Sequence, residues 1–208
     1  MTIQRIRSRT IQRIRSSYAK NNFGDILRAL ILGHRPSHVV EFGVLDGYST
    51  FHIAHALRFN NLLYFESTFK AYDLWSSYGY KHGDYDKVKK LIKDQRLEKI
   101  VNLLYGDFYT MWGDYNDESI DFLHVDISND GEVLEHTMSR WGPKISYGGI
   151  IAFEGGSVER DNVEWMRKYN KKRIHPVIVD IMTNKKTYKN WTAQIYGKFP
   201  SMTLLFKR

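Results

Sequence analysis

The chain has 208 residues, of which 42% are hydrophobic, and it carries a formal net charge of +8. This supplies enough apolar material for one sizeable core, while no run of about 18 apolar residues is present that would cross a membrane. Because the sequence contains no cysteine, disulfide frameworks and thiolate metal sites are excluded, and we expect a cytoplasmic protein that does not enter a membrane.

The positive charge is concentrated at the two ends of the sequence. Residues 1–20 carry six Lys and Arg and no acid, and residues 161–208 carry eleven against three acids, which leaves a net charge of −6 for residues 21–160. The motif TIQRIRS occurs twice, at 2–8 and 10–16. We therefore expect a basic N-terminal arm over 1–20 and a single domain over 21–208. The basic ends could attract a polyanion such as nucleic acid, or an anionic substrate, but a solvated surface is the favoured interpretation.

Hydrophobic periodicity predicts that helices and strands alternate after the arm. The first helix has its apolar residues three and four positions apart between Phe23 and Ile31. Asp84 is placed to cap a later helix. The predicted strands are, in chain order, SHVVEF, FKAYD, KIVNLL, SIDFLHVD, GGIIAFE, HPVIVDIM and SMTLLFK.

The alternation predicts an α/β fold with a Rossmann-like, doubly wound, seven-stranded and mainly parallel sheet. A polar loop without a clear crossover helix separates the last two predicted strands. We therefore expect these two strands to form an antiparallel pair at the C-terminus. Ligands on such sheets bind beyond the carboxyl ends of the strands, so polar residues at those ends are the candidates for a site.

The stretch VVEFGVLDGYST predicts a strand, a glycine-containing turn and a helix. It does not match a P-loop, because Gly47 is followed by Tyr48 and no Lys is near to meet a phosphate. A dinucleotide turn needs three glycines, whereas only Gly43 and Gly47 are present. Glu41 adds a carboxylate that would repel phosphate. These features suit S-adenosylmethionine, which carries a ribose diol, an ammonium and a sulfonium, and no phosphate.

At these residues the sequence resembles the class I S-adenosylmethionine-dependent methyltransferases. The segment EFGVLDGYST is similar to the first motif of that family, with Glu41, Gly43 and Gly47 in the matching places. The resemblance implies that these three residues, with Tyr48 and Ser49 at the start of the following helix, bind the cofactor.

The resemblance also implies an acid after each of the next three strands. Asp73 in FKAYDLW matches the acid that binds ribose, and Asp107 in LLYGDFYTMW matches the acid near adenine, with Phe108 beside the ring. Asp126, after the fourth strand, matches a position near the methionine part of the cofactor or a metal. Glu66 in LLYFES is an alternative ribose acid, but FKAYD alternates more like a strand, which favours Asp73.

The segment from DFLHVD to AFEGG is most similar to macrocin-type sugar O-methyltransferases and cephalosporin-hydroxylase-like proteins. In the metal-dependent members, an Asp after strand four joins two acidic or amide residues after strand five. Asp126 matches the first ligand and Glu154 the second, whereas Gly155 stands where the third is expected. We therefore expect Mg²⁺ to bind weakly or not at all.

Together these features predict an S-adenosylmethionine-dependent methyltransferase that acts on a small-molecule acceptor, such as a sugar hydroxyl. Asp126 is the predicted catalytic residue, either as the base that removes the hydroxyl proton or as a metal ligand with Glu154. Two alternatives stay open. The basic ends favour a nucleic-acid methyltransferase, and Gly155 favours a cofactor-binding module without catalytic activity.

Overall fold

The computed structural model describes residue 14 and residues 16–208. Most of the predicted basic arm, including the first copy of TIQRIRS, lies outside the described residues. The chain divides between Asp107 and Phe108 into two compact units.

The described part of the first unit, up to residue 107, contains three parallel strands and three longer helices. Strand β2 lies between β1 and β3, and both of its pairings are parallel. The elements are α1 (Phe23–His34), β1 (His38–Phe42), α2 (Tyr48–Leu62), β2 (Thr68–Asp73), α3 (Tyr85–Asp94) and β3 (Val101–Tyr105).

Local sequence explains where the helices of the first unit lie. Helix α1 buries Phe23, Leu27 and Ile31, which recur on one face at helical spacing. Helix α3 begins after Asp84, whose carboxylate accepts a hydrogen bond from the Lys87 amide at 3.0 Å. The predicted cap at Asp84 is therefore confirmed.

The second unit contains the remaining four strands. Strand β5 pairs parallel with β4 and antiparallel with β7, and β7 also pairs antiparallel with β6. The elements are β4 (Ile120–Val125), α4 (Gly131–His136), β5 (Ile145–Glu154), α5 (Val158–Asp161), α6 (Glu164–Lys168), α7 (Ile174–Thr183), β6 (Trp191–Tyr196) and β7 (Met202–Lys207). The predicted fold, a mainly parallel seven-stranded α/β sheet with an antiparallel C-terminal pair, is confirmed.

The prediction that HPVIVDIM is a strand was wrong, because this segment lies in helix α7. Its buried residues, Ile174, Val177, Ile178 and Ile181, recur at helical spacing, and a short apolar run of this kind does not distinguish strand from helix by itself. Asp161, at the end of α5, caps the helix by accepting hydrogen bonds from the amides of residues 174 and 175, each at 2.8 Å. The penultimate strand is instead β6, within the predicted polar loop.

None of the helices formed by the described residues is both long and apolar enough to span a lipid bilayer.

Candidate functional site

Strand β1 of the first unit ends in a tight turn that leads into helix α2. Gly43 and Gly47 have φ angles of 93° and 86°, in the left-handed region that glycine adopts readily. A Cβ atom at Gly47 would also lie 2.9 Å from the ring of Phe51. The Gly47 amide closes the turn by donating to the Val44 carbonyl at 2.8 Å. The predicted motif glycine at position 47 is therefore required both by backbone conformation and by space.

Glu41 anchors this turn from inside the unit. Its side chain is fully buried, and its carboxylate accepts hydrogen bonds from the hydroxyls of Ser49 and Thr50, each at 2.6 Å. The carboxylate thereby ties the end of β1 to the first turn of α2. A direct contact of Glu41 or Ser49 with a cofactor stays a prediction.

Asp73 holds the same turn from the neighbouring strand. It is the last residue of β2, and its Oδ2 atom accepts hydrogen bonds from the amides of Val44 and Leu45, each at 2.9 Å. Its Oδ1 atom accepts a hydrogen bond from the Trp75 amide at 2.9 Å. A carboxylate offers about four acceptor sites, so three bonds leave capacity for a ligand hydroxyl. The predicted contact between Asp73 and ribose stays a prediction.

The choice between Asp73 and Glu66 depends on where the second strand lies. Glu66 is exposed and precedes β2, whereas Asp73 is at the carboxyl end of the strand. The predicted placement of the strand is therefore confirmed.

Gly83 was missed by sequence reasoning, although the turn depends on it. A Cβ atom at this position would lie only 1.9 Å from the Leu45 carbonyl oxygen. The loop that precedes α3 therefore packs its backbone directly against the turn after β1. A glycine immediately before the helix-capping Asp84 was the available signal in the sequence.

Tyr48 stands at the start of α2 next to a histidine. The ring centroids of Tyr48 and His52 are 4.8 Å apart. Burial, together with the charge of Asp25, raises the pKa of Tyr48. Burial lowers the pKa of His52, although Asp25 opposes the effect. Both side chains are therefore neutral near pH 7, and the predicted cofactor contact of Tyr48 stays a prediction.

Asp107 and Phe108 are adjacent in sequence but belong to different units. Asp107, half-buried, ends the first unit. Phe108 is buried in the second, where its ring stacks on Trp141 at a centroid distance of 5.8 Å. The indole nitrogen of Trp141 donates a hydrogen bond to the Phe108 carbonyl at 3.1 Å. The predicted roles of these two residues near adenine stay predictions.

In the second unit, the predicted acids lie side by side at the carboxyl ends of two strands. Val125 of β4 is in register with Phe153 of β5, and each is followed by one of the acids, Asp126 and Glu154. Asp126 is half-buried and Glu154 is buried. This end of the second unit therefore brings together the predicted catalytic residue and the second predicted metal ligand.

Arg160 is the residue of this cluster that sequence reasoning missed. Its Nε and Nη2 atoms donate to the two carboxylate oxygens of Glu154 at 2.7 and 2.9 Å, and Nη2 also donates to the Asn129 carbonyl at 3.3 Å. Burial alone would lower the pKa of Arg160. The hydrogen bond to Glu154, together with the negative charges of Glu154, Asp126 and Asp161, outweighs this effect and raises the pKa. We call Asp126, Asn129, Glu154 and Arg160 the Arg160 cluster.

The residues of the Arg160 cluster do not fit a divalent metal. Both oxygens of Glu154 are bound to Arg160, and the Asn129 side-chain oxygen accepts a hydrogen bond from the Ile127 amide at 3.1 Å. Gly155 has a φ of 107°, and a Cβ atom there would lie 2.6 Å from Ile174. Across residues 16–208 no group of three or more His, Cys, Asp or Glu side chains is placed to hold an ion.

More than half of the chain is similar to a known protein family. The model of a family described as "Methyltransferase domain" matches residues 40–154. No curated protein sequence matches the chain.

Similar solved structures cover most of the chain at low sequence identity. The SAH-bound methyltransferase PaMTH1 from Podospora anserina is 14% identical, with a TM-score of 0.67 over 97% of this chain and 86% of its own. The O-methyltransferase TomG from Streptomyces achromogenes, in complex with SAM, is 14% identical, with a TM-score of 0.63 over 89% of this chain and 79% of its own. The O-methyltransferase from Bacillus cereus, in complex with SAH, is 16% identical, with a TM-score of 0.60 over 90% and 81%. At these identities the likeness concerns the fold.

Proposed function

The chain belongs to the methyltransferase-domain family, and from this premise we propose that it transfers a methyl group from S-adenosylmethionine to an oxygen atom of a small molecule. The observation that carries the proposal is the turn after β1, held by the buried carboxylate of Glu41 and by the carboxylate of Asp73. The turn contains no Lys or Arg between Gly43 and Gly47. Such a turn suits a cofactor that carries a ribose diol and positive charge rather than phosphate.

An oxygen acceptor is supported by the solved structures of similar fold. Of the three compared above, two are O-methyltransferases, and both of these are complexes with SAM or SAH. The resemblance of residues 121–156 to macrocin-type sugar O-methyltransferases supports a sugar hydroxyl as the acceptor. The family model extends across the boundary between Asp107 and Phe108, which supports one methyltransferase domain over residues 21–208.

The proposed reaction is an in-line displacement at carbon. A lone pair of the acceptor oxygen forms a bond to the methyl carbon, the bond from carbon to sulfur breaks, and its electrons neutralise the sulfonium. The hydroxyl proton passes to a base, and we assign that role to Asp126. Alignment of the reacting atoms can contribute on the order of 7–11 kcal/mol at best, and a positioned base contributes about 10²- to 10⁴-fold in rate.

The proposal is tested with S-adenosylmethionine that carries a labelled methyl group. The full chain is incubated with sugars, phenols and other hydroxylated small molecules, and with RNA and duplex DNA in parallel. We expect the label on a small-molecule hydroxyl, with one S-adenosylhomocysteine formed per methyl group. Label found only on nucleic acid would contradict the proposal and favour a nucleic-acid methyltransferase. No turnover with any acceptor would contradict it and favour a binding module without catalytic activity.

The variant Asp126→Asn tests the assigned base, because it keeps the size of the side chain but removes the carboxylate. We expect its turnover at saturating S-adenosylmethionine to be lower by about 10²- to 10⁴-fold. Full turnover in this variant would exclude Asp126 as the base.

A further inference from the structure

Arg160 is a buried cation, held among acids in the second unit. Only 5% of the residue is exposed. Its guanidinium meets Glu154 through two parallel hydrogen bonds, at 2.7 and 2.9 Å. This fork-like geometry engages both oxygens of a carboxylate at once. The guanidinium of Arg160 therefore occupies the position at the Glu154 carboxylate where a metal ion would bind.

Two further acids close to Arg160 in sequence or space are also committed to protein donors. Asp130 caps α4 through two amides, at 2.9 and 3.0 Å, and forms an ion pair with Lys171 at 3.0 Å. Asp161 uses both of its oxygens to cap α7. Recruiting either carboxylate as a metal ligand would leave a helix end without its cap, which is unfavourable.

The charge of Arg160 is also maintained by its surroundings. Glu154, Asp126 and Asp161 stabilise the guanidinium against the effect of burial. A fixed positive charge repels a second cation, and the repulsion is stronger in a buried place than in water. A divalent ion at Glu154 would therefore have to displace Arg160 rather than join it.

One donor of the guanidinium is left over. Among the described residues, no group accepts a hydrogen bond from the buried Nη1 atom of Arg160. A buried charged donor without an acceptor is costly. An oxygen acceptor would satisfy this donor, whereas a metal ion, which accepts no hydrogen bond, would not.

We propose that Arg160 is a built-in cation that takes the place of a divalent metal in the Arg160 cluster, so that methyl transfer by this chain needs no metal. The inference deepens the proposed function and rests on it. Arg160 acts as a positioning residue. It fixes the carboxylate of Glu154 and balances the negative charges of Glu154 and Asp126.

The test is a titration of the full chain with Mn²⁺, followed by electron paramagnetic resonance of the free ion. We expect the wild type to leave the signal of the free ion unchanged up to about 1 mM, because Arg160 occupies Glu154. Arg160→Met removes the charge and keeps an unbranched side chain. It should bind Mn²⁺ at least about tenfold more tightly, because both oxygens of Glu154 become available as ligands.

Two matched variants show whether the gain comes from Glu154. Arg160→Lys keeps the positive charge and should not bind Mn²⁺. The double variant Arg160→Met with Glu154→Gln should lose the affinity gained by Arg160→Met alone. If Arg160→Met fails to fold, Arg160→Gln, which can keep a hydrogen bond to Glu154, is titrated in its place.

Two results would overturn the proposal. One is a wild-type chain that binds Mn²⁺ with a Kd below about 100 μM and loses it in Glu154→Gln, since that affinity requires Glu154 to be an available ligand. The other is a folded, neutral variant at position 160 that gains no affinity. Binding of S-adenosylhomocysteine is measured separately in EDTA. A chain that binds this cofactor product and also Mn²⁺ contradicts only the role of Arg160, whereas a chain that does not bind it contradicts the proposed function.

Discussion

Glu41→Ala should lower the free energy of unfolding by about 2–6 kcal/mol, because it leaves two buried hydroxyls without their acceptor and each such group costs about 1–3 kcal/mol. The hydroxyls are those of Ser49 and Thr50, both buried and both 2.6 Å from the carboxylate. The loss is measured by urea denaturation, with the slope of the transition checked against the wild type.

The matched control for this variant is Glu66→Ala, at an exposed glutamate that precedes β2. Surface substitutions of this kind usually change stability by no more than about 0.5 kcal/mol. If Glu41→Ala is as stable as Glu66→Ala, the carboxylate of Glu41 does not anchor the turn.

Asp73→Asn should weaken binding of S-adenosylhomocysteine by roughly 10- to 150-fold, which corresponds to about 1.5–3 kcal/mol for the loss of hydrogen bonds to a charged group. The carboxylate accepts three backbone amides, two of them from the turn after β1. An amide side chain must turn one NH₂ group toward those donors, so the turn loses its fixed shape. Calorimetric titration with S-adenosylhomocysteine measures the change.

Glu66→Gln serves as the control, because it removes a carboxylate that precedes the strand. We expect this variant to bind S-adenosylhomocysteine as the wild type does. The reverse order of effects would mean that Glu66, not Asp73, supports the cofactor.

The positions of the first five strands were predictable because they depend on local patterns. Each of the first five strands contains a short stretch of apolar residues, continuous or alternating, between polar residues or glycines, and this pattern predicts its position. The segment HPVIVDIM was misread because its apolar residues fit either period. Asp161, thirteen residues before Ile174, caps the helix, and a contact of this kind leaves no periodic signal in the sequence.

The candidate site was predictable in its residues but not in their hydrogen-bonding partners. Glu41, Gly47 and Asp73 were identified from a motif, yet the motif does not show that the two carboxylates bind protein donors. Arg160 carries no motif and lies in a four-residue helix, α5. Its role depends on two contacts, with Glu154 and Asn129, that exist only once the chain has folded.

The most direct test of the central claim is a calorimetric comparison of S-adenosylhomocysteine, NAD and ATP, titrated separately into the full chain in EDTA. The turn after β1 has two carboxylates beside it and no basic side chain between Gly43 and Gly47. We expect saturable binding of S-adenosylhomocysteine with the same Kd when Mg²⁺ replaces EDTA, and weaker or no binding of NAD and ATP. Preferential binding of NAD or ATP would contradict the account.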